Sequence, residues 1–87
     1  GASLLCSGPF IFPHPQKYQI WIPYVLELEQ IMEEICSSLS VPFIPLHSYL
    51  TSLVKNGDYD AVTVDGIHLT TYGHEMLAEY LLPHLLF

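Results

Sequence analysis

The chain of 87 residues contains very little positive charge. Lys17 and Lys55 are its only cations, against nine aspartates and glutamates, and the formal net charge is −7. Nucleic-acid binding depends on basic residues that neutralise phosphates, so this composition argues against a nucleic-acid partner. The same excess of negative charge disfavours contact with anionic membrane surfaces.

The sequence also lacks a long apolar run. No uninterrupted apolar stretch approaches the roughly 18 to 20 residues that a membrane-spanning helix needs, so we expect no membrane span. The first residues, Gly1-Ala2-Ser3-Leu4-Leu5, contain neither an initiator methionine nor the charged region of a secretory signal. We interpret Gly1 as an arbitrary boundary.

Cysteine is scarce and its spacing carries no familiar signature. Cys6 and Cys36 lie far apart, which excludes both a CxxC redox pair and a zinc-ribbon spacing. We interpret them as two small buried apolar residues, since free cysteine is among the most buried residue types. A disulfide between them stays open.

Apolar residues, by contrast, make up 51% of the chain. A domain of this size buries only about 60 to 65% of the surface that its unfolded chain exposes. We therefore expect the surplus to be covered either by a missing N-terminal part of the same domain or by self-association.

Strand-like and helix-like segments alternate along the chain. Strands separated by helices favour βα units with a parallel sheet and right-handed crossovers. The predicted order is a strand at 3–6, a helix at 24–39, a strand at 41–46, a helix at 47–54, a turn at 56–58 and a helix at 71–82 that Pro83 ends.

The helix at 24–39 has the clearest pattern, and Pro23 suits its first turn. One side carries acidic and amide residues, and the other carries apolar residues at helical spacing, which predicts an amphipathic helix. The polar set is Glu27, Gln30, Glu33 and Glu34, and the apolar set is Tyr24, Leu28, Ile31, Met32, Ile35 and Leu39.

The residues that point to chemistry lie in Asp65-Gly66-Ile67-His68-Leu69-Thr70-Thr71-Tyr72-Gly73-His74. Histidine titrates near neutrality, and a carboxylate that accepts its Nδ1 proton fixes the tautomer and stabilises the imidazolium. Asp65 and His68 are the residue types for that pair. Thr70 suits the N-cap of the following helix, which would hold His68 in the turn that leads into it.

Taken with the strand ending Ser7-Gly8-Pro9, the amphipathic helix and the Val-Pro-Phe-Ile-Pro-Leu strand, this block resembles the C-terminal part of an SGNH (GDSL) esterase. The similarity covers nearly all of residues 1–87, which would form a partial SGNH-hydrolase domain. Its most specific part is Asp65-x-x-His68 followed by Thr70 and Gly73-His74.

The resemblance implies the C-terminal portion of a three-layer α/β/α, flavodoxin-like fold with parallel strands. It also implies a serine-dependent hydrolase of small acyl, acetyl-type esters, with Asp65 as orienting acid and His68 as general base, and with neither cofactor nor metal. The family's Gly-Asp-Ser nucleophile block and its oxyanion-hole glycine and asparagine are absent from this sequence. The resemblance thus covers only part of an active site.

Other nucleophile and metal assignments are weaker. Ser7 lacks the glycine that a nucleophile elbow needs two positions earlier, where Leu5 stands. Asp65, His68 and His74 are metal-ligand types, but His74-Glu75 is not followed by the second histidine of a zincin motif. We assign His74 a structural role, and likewise His14, His47 and His84.

A non-catalytic α/β interaction or scaffold module is the alternative function. It predicts an apolar docking face and no functional coupling between Asp65 and His68. Composition suits this alternative as well as it suits the hydrolase.

Overall fold

The computed structural model describes residues 4–85. Within this range the chain forms three α-helices, two strands of two residues each and two short 3-10 helices. In chain order these are β1 (Cys6–Ser7), a 3-10 helix (Gln16–Trp21), α1 (Ile22–Ser38), β2 (Phe43–Ile44), α2 (Leu46–Ser52), a 3-10 helix (Tyr59–Ala61) and α3 (Thr71–Leu85).

The two strands pair in parallel, with Cys6 opposite Phe43. Backbone hydrogen bonds continue for one residue on each side of the pair, from Cys6 N–H to the Pro42 carbonyl and from Gly8 N–H to the Ile44 carbonyl, both at 3.1 Å. Position 3 of the predicted first strand lies outside the described residues.

The predicted three-layer α/β/α, flavodoxin-like fold is wrong for residues 4–85. Two strands of two residues cannot form a central sheet for helices to cover on both faces. Proline explains the shortness of β2, because Pro42 and Pro45 border it and neither has an N–H to donate to a neighbouring strand. Pro9, two residues after β1, likewise has no N–H to donate.

Helix α1 confirms the predicted helix, and Pro23 lies in its first turn. Its apolar side, however, is only partly covered within residues 4–85. Glu29 and Cys36 are the buried residues of α1, while one side of the helix keeps large apolar side chains that are 43% to 62% exposed. We call this exposed row the outer seam; its members are Trp21, the last residue of the preceding 3-10 helix, and Tyr24, Leu28, Ile31 and Ile35 of α1.

Glu29 is buried because it caps α2. The N-cap position of α2 is Pro45, which offers no side-chain oxygen. The Glu29 carboxylate takes over this role by accepting the backbone N–H of Ser48 at 3.2 Å and, in a second hydrogen bond, the Ser48 hydroxyl. A carboxylate at a helix N-terminus satisfies unpaired N–H groups and interacts favourably with the helix dipole.

The hydrophobic core consists of Phe12, Leu50, Val62 and Leu69. Phe12 and Leu50 are completely buried, and Phe12 makes edge-to-face contacts with Phe10 and Tyr59. Because Val62 and Leu69 belong to the segment that leads into α3, the core lies directly beneath the residues of the predicted motif.

Stacked tyrosines join α2 to α3. The rings of Tyr49 and Tyr80 are parallel within 5°, with centroids 3.9 Å apart, and the Tyr49 hydroxyl donates to the Met76 carbonyl at 3.0 Å. Contrary to prediction, α3 does not end at Pro83 but continues to Leu85 with Pro83 inside it. Proline removes one N–H donor and so weakens this part of α3 without ending it.

Cys6 and Cys36 are both free thiols. Cys36 is buried, as predicted, and Cys6 is half-buried. Burial, together with contact from the Cys6 thiol, raises the pKa of Cys36. None of the helices within residues 4–85 combines the length and the apolar character that crossing a membrane requires.

Candidate functional site

Segment 63–70 holds the candidate site as a narrow loop between the second 3-10 helix and α3. Thr63 and Leu69 form an antiparallel bridge, and Val64 N–H donates to the His68 carbonyl at 2.8 Å. The Thr63 hydroxyl donates to the same His68 carbonyl at 2.7 Å and accepts the Gly66 N–H at 2.9 Å. One buried hydroxyl therefore fixes both arms of the loop.

Glycine is required at position 66. Its φ of +98° lies in a region that side chains disfavour. An added Cβ would lie 2.6 Å from the His14 carbonyl oxygen and 2.7 Å from the Tyr18 ring. The Gly66 carbonyl also accepts the Phe12 N–H at 3.0 Å, which attaches the loop to the core.

Thr70 is the N-cap of α3, as predicted. Its hydroxyl accepts the Gly73 N–H at 3.1 Å, three residues into the cap, and donates to the Ala61 carbonyl at 2.7 Å. A Cβ at Gly73 would lie 2.5 Å from the Val62 carbonyl oxygen, so the start of α3 packs closely on the preceding segment. The end of segment 63–70 that joins α3 is therefore held in place.

Asp65 and His68 are in contact within this loop. His68 Nδ1 and Asp65 Oδ2 are 2.7 Å apart. The other carboxylate oxygen, Oδ1, accepts the backbone N–H of Ile67 at 3.0 Å and that of His68 at 2.8 Å. Both carboxylate oxygens are therefore engaged, and the carboxylate plane is set by backbone as well as by the imidazole.

These contacts keep the Asp65 carboxylate ionised and place a proton on Nδ1 of His68. Hydrogen bonds from the backbone N–H of Ile67, from the His68 side chain and from the His68 N–H lower the pKa of Asp65 to about 2. An ionised carboxylate can only accept hydrogen bonds, so Nδ1 of His68 must donate to it. In the neutral ring, Nε2 then carries the lone pair, which is the form that a general base requires.

The pair is open to solvent. The side chain of His68 is 71% exposed and that of Asp65 is 47% exposed. Among residues 4–85, Nε2 of His68 has no hydrogen-bond partner. The arrangement can therefore take a proton from a group that approaches from outside the described part of the chain.

The other histidines and Ser7 do not complete this site. His74 is exposed on α3, and no hydrogen bond or aromatic contact of its side chain occurs within residues 4–85. Ser7 lies in β1, opposite Ile44, and makes no hydrogen bond to His68. Over the same range, no cluster of three or more histidine, cysteine, aspartate or glutamate residues has a geometry suited to a metal ion.

No family model, curated protein or solved structure matches the chain. The assignment of Asp65 and His68 therefore depends on their geometry and on the sequence resemblance.

A cavity of about 290 Å³ has Leu53, Lys55, Asp58, Ala61 and Tyr72 in its wall. Neither Asp65 nor His68 contributes to it. Ala61 in its wall also contacts the candidate site, since the Ala61 carbonyl accepts the Thr70 hydroxyl.

Two important residues were not singled out by the sequence. Thr63 closes the loop, and its only sequence signal is a threonine three residues before a glycine, the spacing of a side-chain-to-backbone turn. Glu29 looks like one more acidic residue of α1, and only the proline at the N-cap of α2 indicates that a distant cap is needed.

His47, predicted to be structural, is buried beside this cap. Its Nδ1 accepts the Ile11 N–H at 3.5 Å, and burial lowers its pKa in spite of the nearby Glu29 carboxylate. We find no chemical role for it.

Proposed function

We propose that segment 63–70 supplies the orienting acid and the general base of a serine-dependent ester hydrolase of the SGNH type. The observation that supports this proposal is the 2.7 Å contact between His68 Nδ1 and Asp65 Oδ2, in which Asp65 Oδ1 is already saturated by two backbone N–H groups. A carboxylate positioned in this way can neither rotate freely nor be protonated at neutral pH. It therefore holds one tautomer of His68.

In the proposed reaction, a serine from polypeptide outside this chain attacks the ester carbonyl. His68 Nε2 accepts the hydroxyl proton as the new C–O bond forms, and the charge that develops on the ring is stabilised by Asp65. The imidazolium returns the proton to the leaving alcohol, and a water molecule then repeats the sequence on the acyl-enzyme. The exposure of His68 suits this role, because the serine and the substrate must both reach Nε2.

The proposed substrate is a small acyl ester, of the acetyl type, as the family resemblance implies. The transition state would also require oxyanion donors, which contribute roughly 10²- to 10³-fold each. These donors would come from the same missing part of the enzyme as the serine. The proposal needs no metal or cofactor, since proton transfer and oxyanion stabilisation complete the reaction.

The chain alone should therefore hydrolyse p-nitrophenyl acetate no faster than free imidazole does at equal concentration. In a longer polypeptide that supplies the serine, His68→Ala should reduce kcat by about 10⁶-fold and Asp65→Ala by about 10⁴-fold, because His68 transfers the proton whereas Asp65 orients the ring. His74→Ala is the matched control, since His74 is exposed and close in sequence, and it should leave kcat unchanged.

Two results would contradict the proposal. The first is turnover by the chain alone well above that of imidazole and abolished by Ser7→Ala, which would place the nucleophile within these residues. The second is a longer enzyme that loses activity on chelation and depends on His74 as strongly as on His68, which would identify metal ligands instead of a triad.

The alternative, a non-catalytic interaction module, is favoured by a different observation, the exposed apolar row on α1. It predicts that Asp65→Asn and His68→Ala leave function intact while substitutions in the outer seam remove it. The two sets of variants therefore separate the two functions.

A further inference from the structure

The outer seam of α1 has the spacing of a helix-pairing surface. Its five members follow one another at intervals of three, four, three and four residues, which is the a/d pattern of a coiled coil. All five side chains are large, apolar and 43% to 62% exposed. The first two are in contact, since the ring centroids of Trp21 and Tyr24 are 6.3 Å apart.

The helix that carries this seam is fixed to the rest of the molecule by another side. Cys36 is buried there, and Glu29 is hydrogen-bonded to Ser48 at the start of α2. Val25 and Met32 on that side are half-buried. The seam is thus held outward by contacts that would not have to break when a partner binds.

The acidic residues beside the seam indicate the charge that a binding partner should carry. Glu27 and Glu34 each directly precede a seam residue, so both lie along the same edge, and both are exposed. The helix contains four glutamates and neither lysine nor arginine. Within residues 4–85 no ion pair neutralises Glu27 or Glu34. A helix with cationic residues beside its apolar row would supply the missing charges.

A second copy of the chain fits less well. In an antiparallel pair, the edge that carries Glu27 and Glu34 would face the same edge of the other copy, which places acid against acid. In a parallel pair, these glutamates would face Val25 and Met32, which already pack on their own molecule. An anionic membrane surface would meet the same negative charge.

We propose that the outer seam binds a basic amphipathic helix of another protein, whose apolar a/d residues pack on the seam and whose lysines or arginines pair with Glu27 and Glu34. Neither Asp65 nor His68 takes part in this interaction, so the variants that test it differ from those that test the hydrolase proposal.

The test uses two synthetic helical peptides of three heptads with leucine at a and d and alanine elsewhere. One carries lysine at the e and g positions that flank the apolar row, and the matched peptide carries glutamate there. Trp21 is the only tryptophan of the chain and belongs to the seam, so its fluorescence reports binding directly. We expect a blue shift and at least a tenfold tighter Kd with the lysine peptide, and we expect the difference to shrink at high salt.

Variants show whether the seam and its edge are responsible. Ile31→Asp should abolish the shift, whereas Leu82→Asp, at an exposed leucine of α3, should leave it unchanged. The double change Glu27→Lys and Glu34→Lys should reverse the preference, so that the glutamate peptide binds more tightly.

Three results would overturn the proposal. Equal binding of both peptides, or binding that survives Ile31→Asp, would show that charge or the seam is not involved. A blue shift without peptide that grows with protein concentration, together with a dimer in light scattering, would identify a second copy as the partner. A shift caused by phosphatidylcholine vesicles and by neither peptide would identify a lipid surface.

Discussion

Segment 63–70 and the outer seam of α1 differ in where their interaction partners lie. In the segment, Asp65, Thr63 and Thr70 find their hydrogen-bond partners within nine residues along the chain. In the seam, large apolar side chains remain 43% to 62% exposed among the described residues, although the helix itself is regular. The polar side chains of segment 63–70 therefore have their hydrogen-bond partners, whereas the apolar side chains of the seam are not fully buried.

The difference has a physical cause. Hydrogen bonds over a few residues close small loops at little entropic cost, so a short sequence can specify them. Burial of an apolar helix side needs a second surface that is itself apolar, and a chain of this size supplies little such surface. The geometry of segment 63–70 therefore bears on the reaction that Asp65 and His68 could carry out, and the exposed seam bears on what the protein could bind.

The largest expected effect is a difference in the free energy of unfolding between a variant in the core and a variant in the seam. Leu50→Ala should lower the free energy of unfolding by about 2 to 5 kcal/mol, because it leaves a cavity where Leu50 is fully buried. Leu28→Ala removes the same atoms from a seam residue that is 48% exposed, and it should cost less than about 1 kcal/mol, since little packing is lost. Urea unfolding of both variants measures the contrast, and equal losses would show that the seam is covered in solution.

A second pair of variants tests how tightly segment 63–70 is packed. Gly66→Ala and Gly57→Ala both place a side chain at positive φ, but only position 66 has neighbours within 4 Å of the new Cβ. Gly66→Ala should therefore be less stable than Gly57→Ala by about 1 to 3 kcal/mol, the usual cost of overpacking. Thermal or urea unfolding of the two proteins provides the measurement, and equal stabilities would mean that the loop can move away from Tyr18.

The smallest expected effect concerns pH. Because hydrogen bonds hold the pKa of Asp65 at about 2, below its ordinary value of 3.8, its contribution to stability is present above about pH 4 and is lost as the pH falls through 2. In His68→Gln the pKa of Asp65 should move upward but stay below 3.8, since the two backbone N–H donors remain. NMR titration of the Asp65 carboxyl group measures both values, and an Asp65 pKa unaffected by the substitution would deny the contact with His68.

Much of the local structure could be predicted from particular residues. The four-residue span from Asp65 to His68 suits a carboxylate that accepts both a backbone N–H and an imidazole, and Thr70 has the side chain of an N-cap. The periodicity of 24–39 and Pro23 in the first turn predicted α1. These features depend on neighbours that are close in sequence, so the pattern of residue types was sufficient.

The long-range features could not be predicted in the same way. Phe12, a core residue, comes from a proline-punctuated stretch with no strand or helix pattern, and its contacts with distant residues bury it. The alternation of strand-like and helix-like segments suggested a layered sheet, but the prolines around β2 reduce it to two residues. The described residues leave much of the apolar side of α1 exposed, so its sequence pattern could indicate an apolar side but not a partner.

The hydroxyl of Thr63 binds the His68 carbonyl and the Gly66 N–H, so its hydrogen bonds join residues at most five positions apart along the chain. Closing a loop of about ten residues takes on the order of 10 to 100 ns, whereas contacts between distant segments form later. Thr63, Asp65 and His68 should thus reach their relative positions early, before Phe12 attaches the loop to the core. The acid and the base would then arrive at the final assembly already oriented toward each other.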